Sequence, residues 1–434
     1  MKKDVLLQKL KSGDFDGELS ALYGGSDAIL TRHKERIVQA IERFDVYFPN
    51  RDDIRIFSAP GRTEIGGNHT DHQHGCALAA AVDLDVIAIV AFHDEGVIRL
   101  KSKGHDIGIV ELSDLTIRAE EKGRSVSMIR GIAARFAQMG VNVGGFDAYT
   151  VSDVLSGSGL SSSAAFETLV GTIINMKYND GKTEPVELAK IGQYTENVYY
   201  GKGSGLLDQT VCSVGGLVFL DFQDTKNPIV KKQHFSFASA GYRLCVTDTK
   251  GSHGDLEDEY TAVPNEMKEV AHQFGKDVLR EVDEEEFYRC VPKLHEKCSD
   301  RAILRAAHFF GESRRAQEEA QALQNGDLDA FFRLYRASGL SSATLLQNLY
   351  SAKKPIEQGI TLGIMLSRRI LGDDAAVRVH GGGFAGTIQA IVPIDRVDEY
   401  VRAMDDLFGE NSCNVLRVRT VGGLELFGNN HDSK

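Results

Sequence analysis

The 434-residue sequence predicts a mixed α+β fold arranged in two blocks, and three observations lead to that prediction. Apolar residues recur at helical spacing in the first fifty residues, as in "LTRHKERIVQAIERF". Short apolar runs typical of strands follow, including "IRIFSAP" at 54–60 and "VIAIVAF" at 86–92. Helical and strand patterns then alternate to the C-terminus, which excludes an all-α or an all-β chain.

The elements of the first block follow in order. "FDAYTVSDVL" at 146–155 predicts a strand that runs into a glycine-rich loop, and "SSAAFETLVGTIINMKY" at 162–178 predicts the helix after that loop. "GGLVFLDF" at 215–222 predicts a further strand. Residues 1–230 are therefore expected to form one domain.

The polar stretch "DTKNPIVKKQ" carries a proline and predicts a boundary near 225–240, followed by a second domain at 231–434. The second block opens with the strand pattern "YRLCVTDT". A long helical stretch from about 288 to 370 is broken near "NGD" at 325–327. Strands return at the end, in "AAVRVHGGGFAGTIQAIV" and "NVLRVRTVGG".

Composition excludes several function classes. A net charge of −12 and the lack of any stripe of Lys and Arg argue against nucleic-acid binding. No apolar run approaches the roughly 18 residues that a membrane span needs. The early acidic residues after "MKKDVLLQKLKSGDFDGE" argue against a signal peptide, and six scattered cysteines are typical of reduced thiols. We therefore expect a cytoplasmic protein that binds small molecules.

The strongest local signal is the loop "SGSGLSSSAAFE" at 156–167, which opens onto an apolar helix. Glycines let a phosphate approach backbone N–H groups, serines add hydroxyl donors, and a helix N-terminus favours an anion. The alternative is a flexible turn in which serines cap the helix. The loop lacks the Lys-Ser or Lys-Thr of a Walker P-loop.

Three other segments contain chemistry-bearing residues. "ENVYYGKGSGLLDQTVCSVGG" at 196–216 contains Glu196 and Asp208, which alone would predict a solvated helix face and a helix N-cap. "RVHGGGFAG" at 378–386 places glycines inside a strand pattern, which indicates either close approach to a ligand or a tight hairpin. "GRTEIGGNHTDHQHG" at 61–75 has three histidines and is consistent with a metal site, a catalytic dyad or a cradle for hydroxyl groups.

Taken together, these motifs resemble those of the GHMP kinases, which phosphorylate galactose, homoserine, mevalonate and phosphomevalonate. Within that superfamily, "GRTEIGGNHTDH" is similar to the galactokinase signature "GRVNLIGEHTDY", and "SHGDLEDEY" at 252–260 is similar to the family's His-then-Tyr segment. The resemblance implies an N-terminal S5-like α/β domain, a C-terminal ferredoxin-like α+β domain and an active site between them. It favours a hydroxyl cradle over a metal site at 61–75.

The resemblance also implies transfer of the ATP γ-phosphoryl group to the anomeric hydroxyl of a hexose, with galactose as the expected substrate. Asp208 would be the general base, and Arg62 would steady Asp208 and the transferring phosphoryl group. Ser163 and Glu196 would hold Mg²⁺. The residues implied to surround the phosphates of ATP are Gly157, Ser158, Gly159, Leu160, Ser161, Ser162 and Ser163. Those implied to contact the sugar are Asn68, His69, Thr70, Asp71 and Tyr260.

Departures from the family pattern bear on the substrate. Asn68 replaces the family's Glu, and Leu155 replaces the proline that opens the phosphate loop. The alternatives are a kinase of the same chemistry that acts on galacturonate or an N-acetylhexosamine, and a non-catalytic sensor of sugar and ATP. We favour galactose and expect Asn68→Glu to tighten galactose binding or leave it nearly unchanged. We also expect a monomer with no membrane or nucleic-acid partner.

Overall fold

The computed structural model describes residues 1–103, 105–154, 159–251, 256–373 and 375–428, without the side chains of residues 105 and 106. Three features singled out in the sequence therefore lie wholly or partly outside the described residues: Leu155, the loop residues Gly157 and Ser158, and the first four residues of the 252–260 segment. None of the helices in the described ranges is long and apolar enough to cross a membrane.

Helices and strands alternate along the chain. The strands are β1 (Arg55–Gly66), β2 (Cys76–His93), β3 (Val97–Ser102), β4 (His105–Glu111), β5 (Gly145–Ser152), β6 (Leu217–Asp221), β7 (Ile229–Gln233), β8 (Tyr242–Asp248), β9 (Ala376–His380), β10 (Thr387–Pro393), β11 (Cys413–Leu416) and β12 (Leu424–Leu426). The helices are α1 (Lys3–Ser12), α2 (Asp16–Tyr23), α3 (Asp27–Tyr47), α4 (Ser125–Gln138), α5 (Ser162–Tyr178), α6 (Pro185–Thr195), α7 (Leu207–Val214), α8 (Glu257–Gln273), α9 (Glu284–Leu294), α10 (Asp300–Gln324), α11 (Leu328–Ser341), α12 (Gly359–Leu371) and α13 (Val397–Phe408).

The larger sheet contains eight of these strands. Its neighbours run β12-β1-β2-β5-β3-β4, while β6 pairs with β2 and β7 pairs with β6. The long strand β2 serves two partners, because residues 86–93 pair with β5 and residues 76–80 pair with β6. Strand β2 therefore joins β5 and β6 into one sheet.

Both faces of this sheet are covered, which explains the nearly unbroken apolar run of β2. Ile87 and Ile89 belong to a core with helices α1, α2 and α3, whereas Ala88 and Val90 belong to the core that α4 and α5 share. Alternate strand residues point to opposite faces, so a strand buried on both sides reads as continuously apolar. Phe44 of α3 is 0% exposed, and full burial of such a side chain contributes about 1.5–3 kcal/mol.

The smaller sheet has the order β11-β8-β10-β9, and all its pairs are antiparallel. Helices α12 and α13 pack on it through a core that includes Ile360, Tyr400 and Met404. Helix α10 contacts β2 of the larger sheet as well as α8 and α11. It therefore connects the two blocks of the chain.

The predicted mixed α+β class is confirmed, and three details differ from the sequence patterns. The helical stretch predicted from 288 to 370 does break at 325–327, where Gly326 has φ 70° and Asp327 caps α11 by accepting from the amide of Ala330. It also ends at Leu294 and resumes at Asp300, because the Ser299 hydroxyl caps a new helix. It is interrupted again before α12, where Gln347 adopts a left-handed conformation.

The other two details concern the polar segment and the chain end. The polar segment at the expected boundary contains the edge strand β7, which pairs with β6, so the first sheet continues to residue 233. Strand β12 returns from the second block to pair with β1. The division into residues 1–230 and 231–434 stays a prediction.

Candidate active site

A cavity lies where the end of β1, the turn after it, the start of α5, the segment 196–209 and the glycine loop at 381–382 meet. It therefore draws on all the glycine-rich segments that stood out in the sequence. The predicted site residues that line it are Arg62, Asn68, His69, Asp71, Ser163, Glu196 and Asp208. Six predicted site residues are described in the structure but do not line it: Thr70, Gly159, Leu160, Ser161, Ser162 and Tyr260.

The end of β1 directs two charged side chains into this cavity. The pairing of β1 with β2 shifts register between Pro60 and Arg62 and again between Glu64 and Gly66, and such bulges re-aim side chains. Arg62 and Glu64 lie two residues apart in the regular stretch between the shifts, so they share a face. Position 61 requires a glycine, because a Cβ there would lie 2.8 Å from the Leu160 carbonyl oxygen.

Arg62 and Asp208 form an ion pair in the cavity. Arg62 Nε donates to Asp208 Oδ1 at 2.7 Å, and Arg62 Nη1 donates to the Gly159 carbonyl of the phosphate loop. The Ser161 hydroxyl donates to Asp208 Oδ2. Ser161 has φ 57°, a left-handed conformation that costs a non-glycine residue of order 1 kcal/mol. The loop thus holds a strained serine against the carboxylate.

Asp208 lies in the first turn of α7, yet it does not cap the helix, because its oxygens are bonded to Arg62 and Ser161. Burial raises its pKa, but the Arg62 charge and the Ser161 hydrogen bond outweigh burial and leave the pKa below its usual value. Asp208 is therefore ionised at neutral pH, with its side chain 33% exposed toward solvent in the cavity.

The described part of the phosphate loop leads directly into α5. Gly159 has φ 70°, and a Cβ there would lie 2.9 Å from Thr387 Oγ1. Leu160 is buried and anchors the loop, Ser162 is the first residue of α5, and Ser163 lines the cavity. The first turn of this 17-residue helix has no acidic residue, so its N-terminus is a favourable place for an anion.

Glu196 is a buried carboxylate rather than part of a solvated helix face. It is 2% exposed and begins a π-helical turn, a distortion common at functional sites. Gln209 Nε2 donates to Glu196 Oε2 at 2.9 Å and lies 3.2 Å from Glu167 Oε2. Lys202 Nζ lies 3.5 Å from Glu196 Oε1. Burial and the nearby Glu196 charge raise the pKa of Glu167 well above its usual value.

The turn after β1 is fixed in place by helix α10 of the second block. Glu312 Oε1 accepts from the amides of Gly67 at 3.1 Å and Asn68 at 3.3 Å. His308 Nε2 donates to the Asn68 carbonyl at 2.9 Å. His308 and Glu312 are one turn apart and share a helix face. These two residues therefore determine the backbone position of the turn that carries the predicted sugar contacts.

Several predicted sugar contacts are already engaged with the protein. The Thr70 hydroxyl donates within the turn, to Gly67 O at 2.9 Å or Cys76 O at 2.7 Å, so its evident role is to shape the turn. His69 Nε2 donates to Gly382 O at 3.0 Å, and burial lowers the His69 pKa to about 4. The Tyr260 hydroxyl donates to Gly383 O at 3.0 Å. Asp71 lines the cavity, and its carboxylate lies against Gly205.

Sequence reasoning missed three charged residues of this region. Glu64 and Lys202 line the cavity, and Glu312 anchors the turn from behind. Glu64 could have been found, because it departs from the galactokinase signature within a matched segment. Glu312 had no such signal, since it lies within an ordinary helical pattern more than 200 residues after the turn that it anchors.

Two family descriptions match the chain in the segments that build the cavity. The galactokinase galactose-binding signature matches residues 42–92, and the GHMP kinases N terminal domain matches residues 127–216. The first range contains β1 and the turn after it, and the second contains the phosphate loop, Glu196 and Asp208.

Whole-chain comparisons agree with these matches. The galactokinase of Streptococcus thermophilus is 30% identical over 388 residues, which cover 86% of this chain and 94% of that protein. The galactokinase of Streptomyces coelicolor is 29% identical over 367 residues, which cover 84% of this chain and 91% of that protein.

Solved structures give the same fold. Lactococcus lactis galactokinase complexed with galactose aligns with a TM-score of 0.76 at 23% identity, over 89% of this chain and 99% of that one. Methanococcus jannaschii mevalonate kinase aligns with a TM-score of 0.60 at 15% identity, over 84% and 98%. The GHMP kinase fold is thus confirmed, and the chain belongs to the galactokinase family.

Proposed function

We propose that the protein transfers the γ-phosphoryl group of ATP to the anomeric hydroxyl of D-galactose, which gives galactose 1-phosphate and ADP. The observation that carries the proposal is the Arg62–Asp208 pair. It lies between the phosphate loop, through Gly159 and Ser161, and the turn after β1 that carries His69 and Asp71. A hydroxyl bound beside Asp208 would therefore face a phosphate held at the loop.

Asp208 is proposed to accept the proton of the anomeric hydroxyl. The proton leaves the hydroxyl oxygen as that oxygen bonds to phosphorus, and the bond between the γ-phosphorus and the bridging oxygen of ATP breaks. Phosphoryl transfer has a loose transition state, so an aspartate with a lowered pKa suffices as a late proton acceptor. Arg62 holds that carboxylate and places positive charge beside the transferring group.

The phosphates of ATP are proposed to lie against Gly157 to Ser163, at the N-terminus of α5. Positive charge there comes from Arg62, from Lys202 at the cavity wall and from the helix dipole. Because the chain has a net charge of −12, these local groups are needed to hold a triphosphate.

Ser163 and Glu196 are proposed to hold Mg²⁺, a hard cation that prefers oxygen ligands. The donor set fits, because both residues line the cavity and the Glu196 carboxylate is 2% exposed. Its described partners are the Gln209 amide and Lys202, whose Nζ lies 3.5 Å from Oε1 and is itself 63% exposed. When bound, the ion offsets the triphosphate charge and polarises its oxygens. Gln209 orients Glu196 by donating to its Oε2.

The sugar is proposed to occupy the part of the cavity formed by the turn after β1. Asp71 offers a carboxylate to hydroxyl groups, and His69 lies beside it. Asn68, Thr70 and Tyr260 remain predicted contacts, and their side chains bond chiefly to the protein in the described structure. Charged hydrogen bonds to hydroxyls contribute about 1.5–3 kcal/mol each, so Asp71 would dominate the affinity of this set.

The proposal is tested by ADP release from ATP and Mg²⁺ with a panel of sugars: galactose, galacturonate, N-acetylgalactosamine and glucose. We expect galactose to give the highest kcat/KM, with galactose 1-phosphate as the product identified by mass and phosphorus NMR. A higher kcat/KM with galacturonate or with N-acetylgalactosamine would show that this sugar, and not galactose, is the preferred substrate. ATP and galactose binding without ADP release would indicate a sensor instead.

A further inference from the structure

Glu64 is a charged residue of the cavity whose hydrogen-bonding capacity the protein does not fill. It is 5% exposed and lies on β1 two residues after Arg62. Its Oε1 accepts from Asn68 Nδ2 at 2.9 Å and from Arg378 Nη2 at 3.1 Å. Its Oε2 accepts from no described residue. This oxygen is also not one of the unpartnered polar atoms that are closed off from solvent, so solvent or a ligand can reach it. The free oxygen therefore opens to the cavity.

Asn68 is in the opposite situation. It is 0% exposed, and its Nδ2 donates to both Glu64 Oε1 and the Gly381 carbonyl, at 2.9 and 2.7 Å. An amide has two N–H groups, so both are used. Its Oδ1 accepts from Asn348 Nδ2 at 3.0 Å. Asn68 consequently has little to offer a ligand, and the group with open capacity at this wall is Glu64.

The two residues also exchange places relative to the galactokinase signature. In "GRVNLIGEHTDY", an asparagine stands where this chain has Glu64 and a glutamate stands where it has Asn68. The exchanged residues are hydrogen-bonded to each other here. Like the signature, this chain therefore has one carboxylate and one amide at these two positions. The carboxylate is on strand β1 here, whereas the signature has it at the position of the turn residue Asn68.

We propose that Glu64 is a specificity-determining residue that accepts a hydrogen bond from one hydroxyl of the sugar, in place of Asn68. This inference rests on the proposed function and refines it. Arg378 is fully buried, so it balances part of the Glu64 charge from behind while the free oxygen faces the ligand. A carboxylate oxygen held in this way is a strong acceptor for a hydroxyl and repels an anionic sugar.

The test is steady-state kinetics of the full chain with ATP and Mg²⁺, for wild type and Glu64→Gln. The sugars are galactose and the four monodeoxy-galactoses that keep the anomeric hydroxyl. With galactose, we expect Glu64→Gln to raise KM about ten-fold while the KM for ATP stays within about two-fold. With the one deoxy sugar that lacks the contacted hydroxyl, the ratio of the two KM values is expected to fall to about two or less.

A control is Glu319→Gln, which changes the side chain of a second buried acid near Arg378 that lies outside the cavity lining. It should leave every sugar KM within about two-fold. The double variant Glu64→Asn/Asn68→Glu keeps one carboxylate at this wall and replaces Glu64→Gln in the test if that variant does not fold. Compared with the single variant Glu64→Asn, the double variant should bring the galactose KM back to within about three-fold of the wild-type value.

The outcomes separate this inference from the proposed function. If wild type does not turn over galactose, the proposed function fails. If wild type is active and Glu64→Gln changes KM by the same factor for every deoxy sugar, or changes no KM, Glu64 is only structural and the inference is overturned. A double variant that folds but stays as impaired as a folded Glu64→Asn single variant would also overturn it.

Discussion

Asp85 and Asp208 are both paired with arginine near strands β1 and β2, and they differ in how completely the protein satisfies them. Asp85 is 0% exposed and accepts from Tyr23 at 2.6 Å, Arg36 at 2.6 Å and Arg419 at 3.1 Å. The Ser58 hydroxyl adds a further bond. These donors come from α2, α3, β1 and the C-terminal segment, so this cluster ties the N-terminal helices and the chain end to the sheet.

Asp208, in contrast, accepts from Arg62 and Ser161 and keeps a third of its side chain exposed to the cavity. The pKa of both carboxyls lies below the usual range, to about 2 for Asp85, because the arginine charges outweigh burial in each case. A lowered pKa therefore does not distinguish a functional aspartate from a structural one. What distinguishes the two aspartates is that Asp208 lies beside a cavity and has hydrogen-bonding capacity that the protein leaves unfilled.

The largest expected effect tests the functional side of this comparison. Asp208→Asn keeps the shape and one acceptor but removes the proton acceptor, so kcat should fall about 10³-fold. Galactose affinity should stay within a few-fold, measured by calorimetry, and the melting temperature should stay close to that of wild type. Turnover near the wild-type level would show that Asp208 is not the catalytic carboxylate.

The structural side is tested by Asp85→Asn. This change leaves Arg36 and Arg419 without their shared buried counter-charge, which should lower the free energy of unfolding by about 3–5 kcal/mol. Urea unfolding at pH 7 measures it, and kcat/KM per folded molecule should be unchanged. Because the Asp85 pKa is lowered, its contribution is present above about pH 4 and is lost as pH falls toward its folded pKa of about 2. A loss of activity without loss of stability would contradict the comparison.

Glu196 extends the comparison to a second carboxylate of the cavity. Glu196→Gln replaces a charged oxygen ligand by a neutral amide, so the Mg²⁺ concentration for half-maximal velocity should rise about ten-fold. Excess Mg²⁺ should restore most of the turnover. Titration of activity with MgCl₂ at saturating ATP measures both. A folded variant that no Mg²⁺ concentration rescues would remove Glu196 from the proposed metal site.

The smallest expected effect concerns Glu319, a fully buried carboxyl whose two oxygens have no partner among the described residues. Burial raises its pKa well above the usual value, so the folded state holds a proton that the unfolded state releases. The resulting loss of stability begins as pH rises above about 4.5. Glu319→Gln should therefore stabilise the protein more at pH 8 than at pH 5.

Thermal unfolding of both proteins across this pH range measures the difference. Equal melting-temperature changes at pH 5 and pH 8 would show that Glu319 does not stay protonated in the folded state. Asp85 and Glu319 would then no longer represent two distinct ways in which this chain buries an acid, one fully paired and the other neutral.

The contacts of Asn68 lead us to revise one expectation from the sequence. Asn68→Glu was expected to tighten galactose binding or leave it unchanged, on the view that Asn68 faces the sugar. In the structure Asn68 is hydrogen-bonded to Glu64 at 2.9 Å, so a glutamate there would place two carboxylates in contact. We now expect the single variant to be destabilised and to bind galactose more weakly.

The sequence by itself determined the mixed α+β class, the order of the glycine-rich segments and the identities of Arg62, Ser163, Glu196 and Asp208 as candidates. Periodicity sets the elements, which is a local property, whereas the candidate roles of these four residues came from the resemblance of the combined motifs to those of the GHMP kinases. Reliance on local pattern also explains why the break between Leu294 and Asp300 was missed, since a side-chain cap at Ser299 rather than Gly or Pro begins the new helix there.

Only the tertiary structure decided which polar groups of the cavity remain open to a ligand. Asn68 loses its donors to Glu64 and to Gly381, and its backbone is held by His308 and Glu312. Apart from Glu64, these partners lie more than 200 residues away along the chain. A buried polar group must find hydrogen-bond partners, and those partners come from whichever segments pack beside it, which no local pattern records.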